Sequence, residues 1–218
     1  MLMGHYSVAL AASGTDRRLP LWVSFLAVQI VDVFWAIFLL THVERISLSP
    51  GLPSNSLVLD HLPYTHSLVG TLAFALLAAG SYRLVTSTGW RPAGVVGLAV
   101  VSHWILDLIV HRRDLTLFGA VGGYGYGLWD VPIAAFGLEM GLVALGAWYF
   151  ARRTNMAPVP IVALASVMVG GTIWFYFGPR LRSVTTTAVA ALATYAVMTT
   201  AAWTAERRWG TSTGPGGT

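Results

Sequence analysis

His103, Asp107 and His111 recur at i, i+4 and i+8, a spacing that sets them along one face of a helix with Ser102 beside them. Gln29 and Asp32 share a helical face in the same way. Imidazole and carboxylate together suit a divalent cation of hard or borderline character, Zn²⁺, Mn²⁺ or Mg²⁺, with Zn²⁺ the first expectation. The chain has no Cys, which excludes disulfides, thiolate catalysis and Cys-type zinc sites. Taken singly, each residue has a plainer reading. A His-x-x-x-Asp pair is also an ordinary hydrogen-bonded pair, and Asp32 or Glu139 is also what a protonated, packed carboxyl looks like.

The elements that carry these residues are apolar. Of 218 residues, 56% are hydrophobic and 10% charged, against about 25% charged in soluble domains, and the mean hydropathy is +0.67. This excludes a typical water-soluble globule. A helix needs about 20 apolar residues to cross a hydrocarbon core of about 30 Å. Six blocks meet that length, approximately Leu21 to Val43, Thr65 to Val85, Ala93 to Val110, Leu128 to Phe150, Ile161 to Gly178 and Val184 to Ala205. The expected fold is an all-α integral membrane protein, a single six-helix transmembrane domain over residues 1–205 with a flexible tail over 206–218. Trp22, Trp90, Trp129, Trp148, Trp203 and Trp209 fall near the block ends, where interfacial anchors belong. The short apolar stretch before Arg17 and Arg18 has no basic region ahead of it and does not read as a cleavable signal.

All basic residues are Arg, scattered singly or in pairs, so the net charge of +4 reads as membrane-loop charge, not as a nucleic-acid surface. Arg17, Arg18, Arg83, Arg91, Arg152, Arg153, Arg207 and Arg208 fall on one side of the six spans. Arg45, Arg112, Arg113, Arg180 and Arg182 fall on the other, which favours N-in, C-in. Gly137 and Gly141 form a small-xxx-small pair expected to mark close helix packing. The glycine- and tyrosine-rich stretch Gly119 to Gly127 reads as a surface loop, with a lid as the alternative.

Threading the spans back and forth segregates the polar residues. His42, Glu44, Asp60, His61, His66, His111, Asp114 and Asp130 fall at one end; Asp32, His103, Asp107 and Glu139 lie within spans; only His5, Asp16 and Glu206 fall elsewhere. An ionisable group at the bilayer centre costs on the order of 2.5–3.5 kcal/mol, so four such groups need partners, and one divalent ion would satisfy several at once. Asp130 is placed to start the fourth helix ahead of Pro132, and His42 and His61 read as solvated loop residues.

At residues 64–68 (YTHSL) and 102–107 (SHWILD) the chain resembles the bacterial inner-membrane family of membrane-bound, predicted metal-dependent hydrolases. That family pairs a Thr-His-Ser-Leu box opening one membrane helix with a Ser-His-x-x-x-Asp box inside the next. The resemblance covers about residues 29–115 and implies that His66, His103 and Asp107 are metal ligands. The Arg that usually precedes the first box is absent from the segment Asp60, His61, Leu62, Pro63, Tyr64, and so is the family's Pro-Asp-x-Asp motif, for which Asp32 or Asp60 would have to substitute.

Two functions follow as expectations. The first is a metal-assisted hydrolase at the outer bilayer face of the bacterial cytoplasmic membrane, cleaving a lipid-like ester or phosphoester. His66, His103 and Asp107 hold the ion there, Asp32 or Asp60 completes the shell, and His111 adds a further ligand. Glu139 or Asp114 is the base, and Arg112 and Arg113 orient an anionic head group, their alternative being interfacial snorkelling. The second is a small ion- or proton-coupled transporter using Asp32, His103, Asp107 and Glu139 as its relay. A non-catalytic helix-packing role is the third possibility.

Overall fold

The computed structural model describes residues 1–119 and 121–209. It contains seven helices and one hairpin: α1 (Gly4–Thr15), α2 (Leu21–Leu40), β1 (Arg45–Leu48), β2 (Leu57–His61), α3 (Leu68–Thr86), α4 (Trp90–Val110), α5 (Pro132–Arg153), α6 (Pro158–Phe177) and α7 (Val184–Trp209). The last six helices, α2 to α7, are each long and apolar enough to span a membrane, so this is a six-span, all-α membrane protein. One bundle end carries the hairpin and the α4–α5 and α6–α7 connections; the other carries the α3–α4 and α5–α6 turns. The last span, α7, runs past residue 205 to Trp209, and the rest of the expected tail lies outside the described residues.

Local chemistry sets the helix limits. α2 stops at Leu40, short of the expected Val43: Thr41 returns its hydroxyl to the Ile37 carbonyl, His42 turns left-handed at φ 60°, and Val43 and Glu44 N–H both close on the Phe38 carbonyl. Pro132 opens α5 and Pro158 opens α6, positions where a missing N–H costs nothing. Ser67 caps α3 by accepting the Gly70 N–H at 3.0 Å.

The departure from the six-block expectation is α1. Its 12 residues reach about 18 Å, too short to cross, and it is buried on nearly every side, packed against α5, α2 and α4. It fills the bundle interior on the side away from the hairpin, where Tyr6, Ala9 and Leu10 join Phe25, Val28, Val100, Met168 and Met198 in one apolar core. The close approach is to Gly146, where an added Cβ would sit 2.7 Å from the Ser7 carbonyl oxygen. The expected pair Gly137 and Gly141 faces open space instead, with nothing within 4 Å of where a Cβ would stand at either position. Trp22, Trp90, Trp148 and Trp203 are exposed on the outer surface, whereas Trp129 is buried in the bundle interior and does not serve as an interfacial anchor.

Candidate metal centre

Three segments of the chain converge at the hairpin end. α2 brings Asp32; α4 brings His103 and Asp107, one turn apart, with His111 at its C-cap; and the residue before the Ser67 cap brings His66. His66 is held by chain crossing. Its carbonyl accepts the Thr116 N–H, the Thr116 carbonyl accepts the Leu68 N–H, and the Tyr64 carbonyl lies where any side chain on Gly70 would stand, so only glycine fits there. The Thr-His-Ser segment and the chain beyond α4 are thereby stitched together.

Each imidazole has one nitrogen committed and the other aimed inward. His103 Nδ1 lies 2.7 Å from the Val28 carbonyl oxygen, which can only accept, so Nδ1 carries a proton and Nε2 is left to face the cluster. Thr65 gives its hydroxyl to Glu44 Oε2 and so accepts from His66 Nδ1 at 3.0 Å, which frees His66 Nε2 in the same way. His111 Nδ1 faces Asp114 Oδ1 at 3.2 Å. These are the outer contacts that fix metal-ligating imidazoles. Glu44 is itself buried and also accepts the Tyr64 and Thr65 N–H groups; burial pushes its carboxyl up, against the pull of those donors.

The free nitrogens meet two carboxylate oxygens. His103 Nε2 is 3.3 Å from Asp32 Oδ1 and 3.2 Å from Asp107 Oδ2. His66 Nε2 is 3.5 Å and 3.8 Å from the same two atoms, and His111 Nε2 is 3.7 Å from Asp107 Oδ2. Charge-assisted hydrogen bonds are shorter, about 2.7–2.9 Å. Ligands bound at about 2.0–2.2 Å around a tetrahedral ion stand about 3.3–3.6 Å from one another, which is close to the spacing seen. His103 Nε2 is fully buried and makes no aligned hydrogen bond to either of the two carboxylate oxygens, a position that a cation would satisfy. The residues present therefore fit a divalent ion.

The outward-facing carboxylate oxygens are satisfied by protein. Tyr195 of α7 donates to Asp32 Oδ2 at 2.9 Å. Asp107 Oδ1 takes the Met1 amino group and lies 3.1 Å from His5 Nε2. His5 stacks on His103 at 4.0 Å between ring centroids, and with His103 and Asp107 it forms another grouping compact enough for an ion. The sequence sets His5 apart from the polar cluster; α1 carries it in. The available signal is a His at the head of an apolar stretch too short to cross.

The remaining expected site residues fall outside the cluster. Asp60 sits on the exposed face of β2, where Ser47 donates to it, because strand alternation turns it away from the bundle. Glu139 is buried but accepts the Met3 and Gly4 N–H groups at 2.9 Å each, with the Tyr176 hydroxyl at 3.0 Å on its other oxygen; it is the cap of α1, not a free base. Asp114 is occupied in orienting His111. Arg112 pairs through Nε with Asp130 at 2.7 Å, so Asp130 braces the α4–α5 connection in place of capping α5, whose N-cap is Val131.

A cavity of about 210 Å³ adjoins the cluster and is lined at its inner end by Asp32, His66, Asp107 and His111. It occupies the interior on the hairpin side, beyond the N-terminal end of α1. Neither Arg112 nor the exposed Arg113 lines it. The guanidinium at its rim is Arg180, which donates to the Pro50, Leu52 and Pro53 carbonyls and ties the α6–α7 connection to the hairpin tip. Trp129 forms part of the wall, tilted against His111 at 4.1 Å. No protein-family model, curated protein or solved structure matches this chain.

Proposed function

We propose that the protein is a metal-dependent hydrolase of a bacterial inner membrane that cleaves an ester or phosphoester of an amphiphile. The observation that carries this reading is the convergence of buried imidazoles, each with its Nδ1 already engaged, and carboxylates in groups compact enough for an ion, Asp32 with His66 and His103 and Asp107 with His66 and His111, beside a cavity. Three imidazoles argue for Zn²⁺ or Mn²⁺ over Mg²⁺, which takes oxygen ligands and keeps its waters; Zn²⁺ is the ion proposed. A divalent ion held there would supply Lewis acidity, polarising a scissile carbonyl or phosphoryl group and making water a better nucleophile near neutral pH.

The chain's own residues supply the rest. His66, His103, His111 and Asp107 would hold the ion; Asp32, the more accessible carboxylate at 8% against 2% exposure, takes the proton from the attacking water. Water adds to the acyl carbon or phosphorus, the bond to the leaving oxygen breaks, and the proton passes to that oxygen to release an alcohol. Tyr195 steadies Asp32 through the cycle. The test is metal content by elemental analysis of purified protein, coupled to hydrolysis of chromogenic carboxylic and phosphoric esters in detergent. Stoichiometric metal and turnover, both lost in a His103→Ala, Asp107→Ala variant that still folds, support the reading; a metal-free wild type overturns it.

One observation favours the transporter: α1 is a half-length helix whose N-terminal end meets buried ionisable groups, an arrangement used in membrane transport sites. Against it, α1 and its apolar neighbours fill the opposite half of the interior, so a polar path leads to one side only among the described residues. Metal-independent electrogenic flux in liposomes would select the transporter.

A further inference from the structure

The cavity's walls divide by chemistry. Its inner end is the His and Asp cluster; its roof is the hairpin, through Leu48, Leu57 and Leu59, laced down by Arg180; its flank is made by Trp174 and Phe175 of α6 and by Thr187, Ala190, Ala191 and Thr194 of α7. α6 and α7 touch each other little: α6 leans on α5 and α7 on α2. Away from the hairpin, Ile161, Leu164 and Met168 of α6 and Met198, Ala202 and Ala205 of α7 belong to the one core around α1. The residues at 187, 190, 191 and 194 recur at helical spacing and are small, so a slot runs along α7. Trp174 lines the cavity and is also 64% exposed on the lipid-facing surface. One wall of the cavity thus reaches the outer surface of the spans.

We propose that an acyl chain enters through this slot between α6 and α7, directly from the bilayer, and lies along Ala190, Ala191 and Thr187 with its head group at Asp32 and His66. This rests on the metal-hydrolase reading for the head group and names the substrate class as a membrane-resident, acyl-bearing lipid. The chemistry of the walls recognises such an occupant: a hydrocarbon chain needs no hydrogen bonds from small apolar side chains, while an ester or phosphate oxygen needs the polar end. A water-soluble ester would instead have to pass the hairpin roof, which Arg180 ties to the α6–α7 connection.

The experiment uses the full chain in phosphatidylcholine vesicles containing a phosphatidylcholine with a diazirine near the head-group end of one acyl chain. After photolysis, adducts are mapped by peptide mass spectrometry. Adducts on the inner wall, at Trp35, Trp129 or Tyr195, are expected beside those on the outer faces of the helices. Ala190→Trp should abolish the inner adducts and leave the outer ones. Thr187→Trp, nearer the mouth on the same face, provides a second block should the first variant fail to fold. Metal content, measured in parallel, should be unchanged in both, because neither residue touches the cluster; a wild type without metal would count against the hydrolase reading and not against the slot. Labelling confined to the outer faces overturns the proposal. So does inner-wall labelling that persists in both variants, or inner labelling only by a short-chain, water-soluble diazirine ester added from the bulk.

Discussion

Two buried carboxylate environments lie at the same end of α1, and they are solved in opposite ways. Glu139 is surrounded by donors: two N–H groups of the α1 start at 2.9 Å, the Leu2 N–H at 3.3 Å and the Tyr176 hydroxyl. The positive end of a helix adds to them, and neither oxygen is left unpaired. Asp32 and Asp107 each have one oxygen satisfied by protein and the other turned toward imidazole Nε2 atoms. A buried charge demands partners in either place. In the first the polypeptide provides them all; in the second it leaves an oxygen of each carboxylate to imidazole nitrogens in groups that could hold a cation. The difference separates a structural carboxylate from a metal-binding one more sharply than burial or position in a span.

The largest effect should come from removing both kinds of ligand at once. His103→Ala with Asp107→Ala is expected to reduce bound metal from stoichiometric to undetectable in elemental analysis, while Glu139→Gln keeps full metal. Equal metal loss in both would erase the distinction between the two carboxylate environments. Conversely, Glu139→Leu strands the α1 N–H groups in an apolar interior and should cost about 3–5 kcal/mol of stability, read as a lowered Tm in detergent with the remaining protein still metal-loaded. Adding Zn²⁺ should raise the wild-type Tm, by mass action worth about 2.7 kcal/mol at a hundredfold excess over Kd, and should leave His66→Ala unmoved.

Smaller effects test the supports. Asp114→Asn, which weakens the outer partner of His111, should lower metal affinity about 10- to 100-fold, measured by chelator competition; an unchanged affinity would remove His111 from the ligand set. Metal should also be released on acidification, because imidazole must be neutral to bind it. Last, Gly146→Val forces a side chain against the Ser7 backbone and should cost about 1–3 kcal/mol. Gly137→Ala and Gly141→Ala, which meet nothing, should cost no stability and gain up to about 1 kcal/mol each from helix propensity.

Much of the site is legible in the sequence because one helix carries much of it. His103, Asp107 and His111 share a face of α4 by spacing alone, and the membrane cost of Asp32 marks it as needing a partner. Asp60 and Asp32 are equal candidates in sequence; a strand that turns one outward and a span that turns the other inward separate them. Glu139 carries the same sequence signal as Asp32, since nothing local says that its oxygens are met by the start of α1, more than a hundred positions away. His5 escapes a reading of the sequence for the same reason from the opposite direction.

The amino-acid order alone determined six membrane crossings, an interior that must neutralise several costly groups, and a metal-compatible row on α4, because hydrophobic block length and helical periodicity are local properties of a chain. Only the tertiary structure decided that α1 folds back as a half-length filler, that Glu139 caps it, that Gly146 and not Gly137 or Gly141 admits it, and that the cavity lies beside the cluster. Those are pairings across distant segments, and they are selected by which donors, acceptors and volumes complement one another in space, a condition no local spacing encodes.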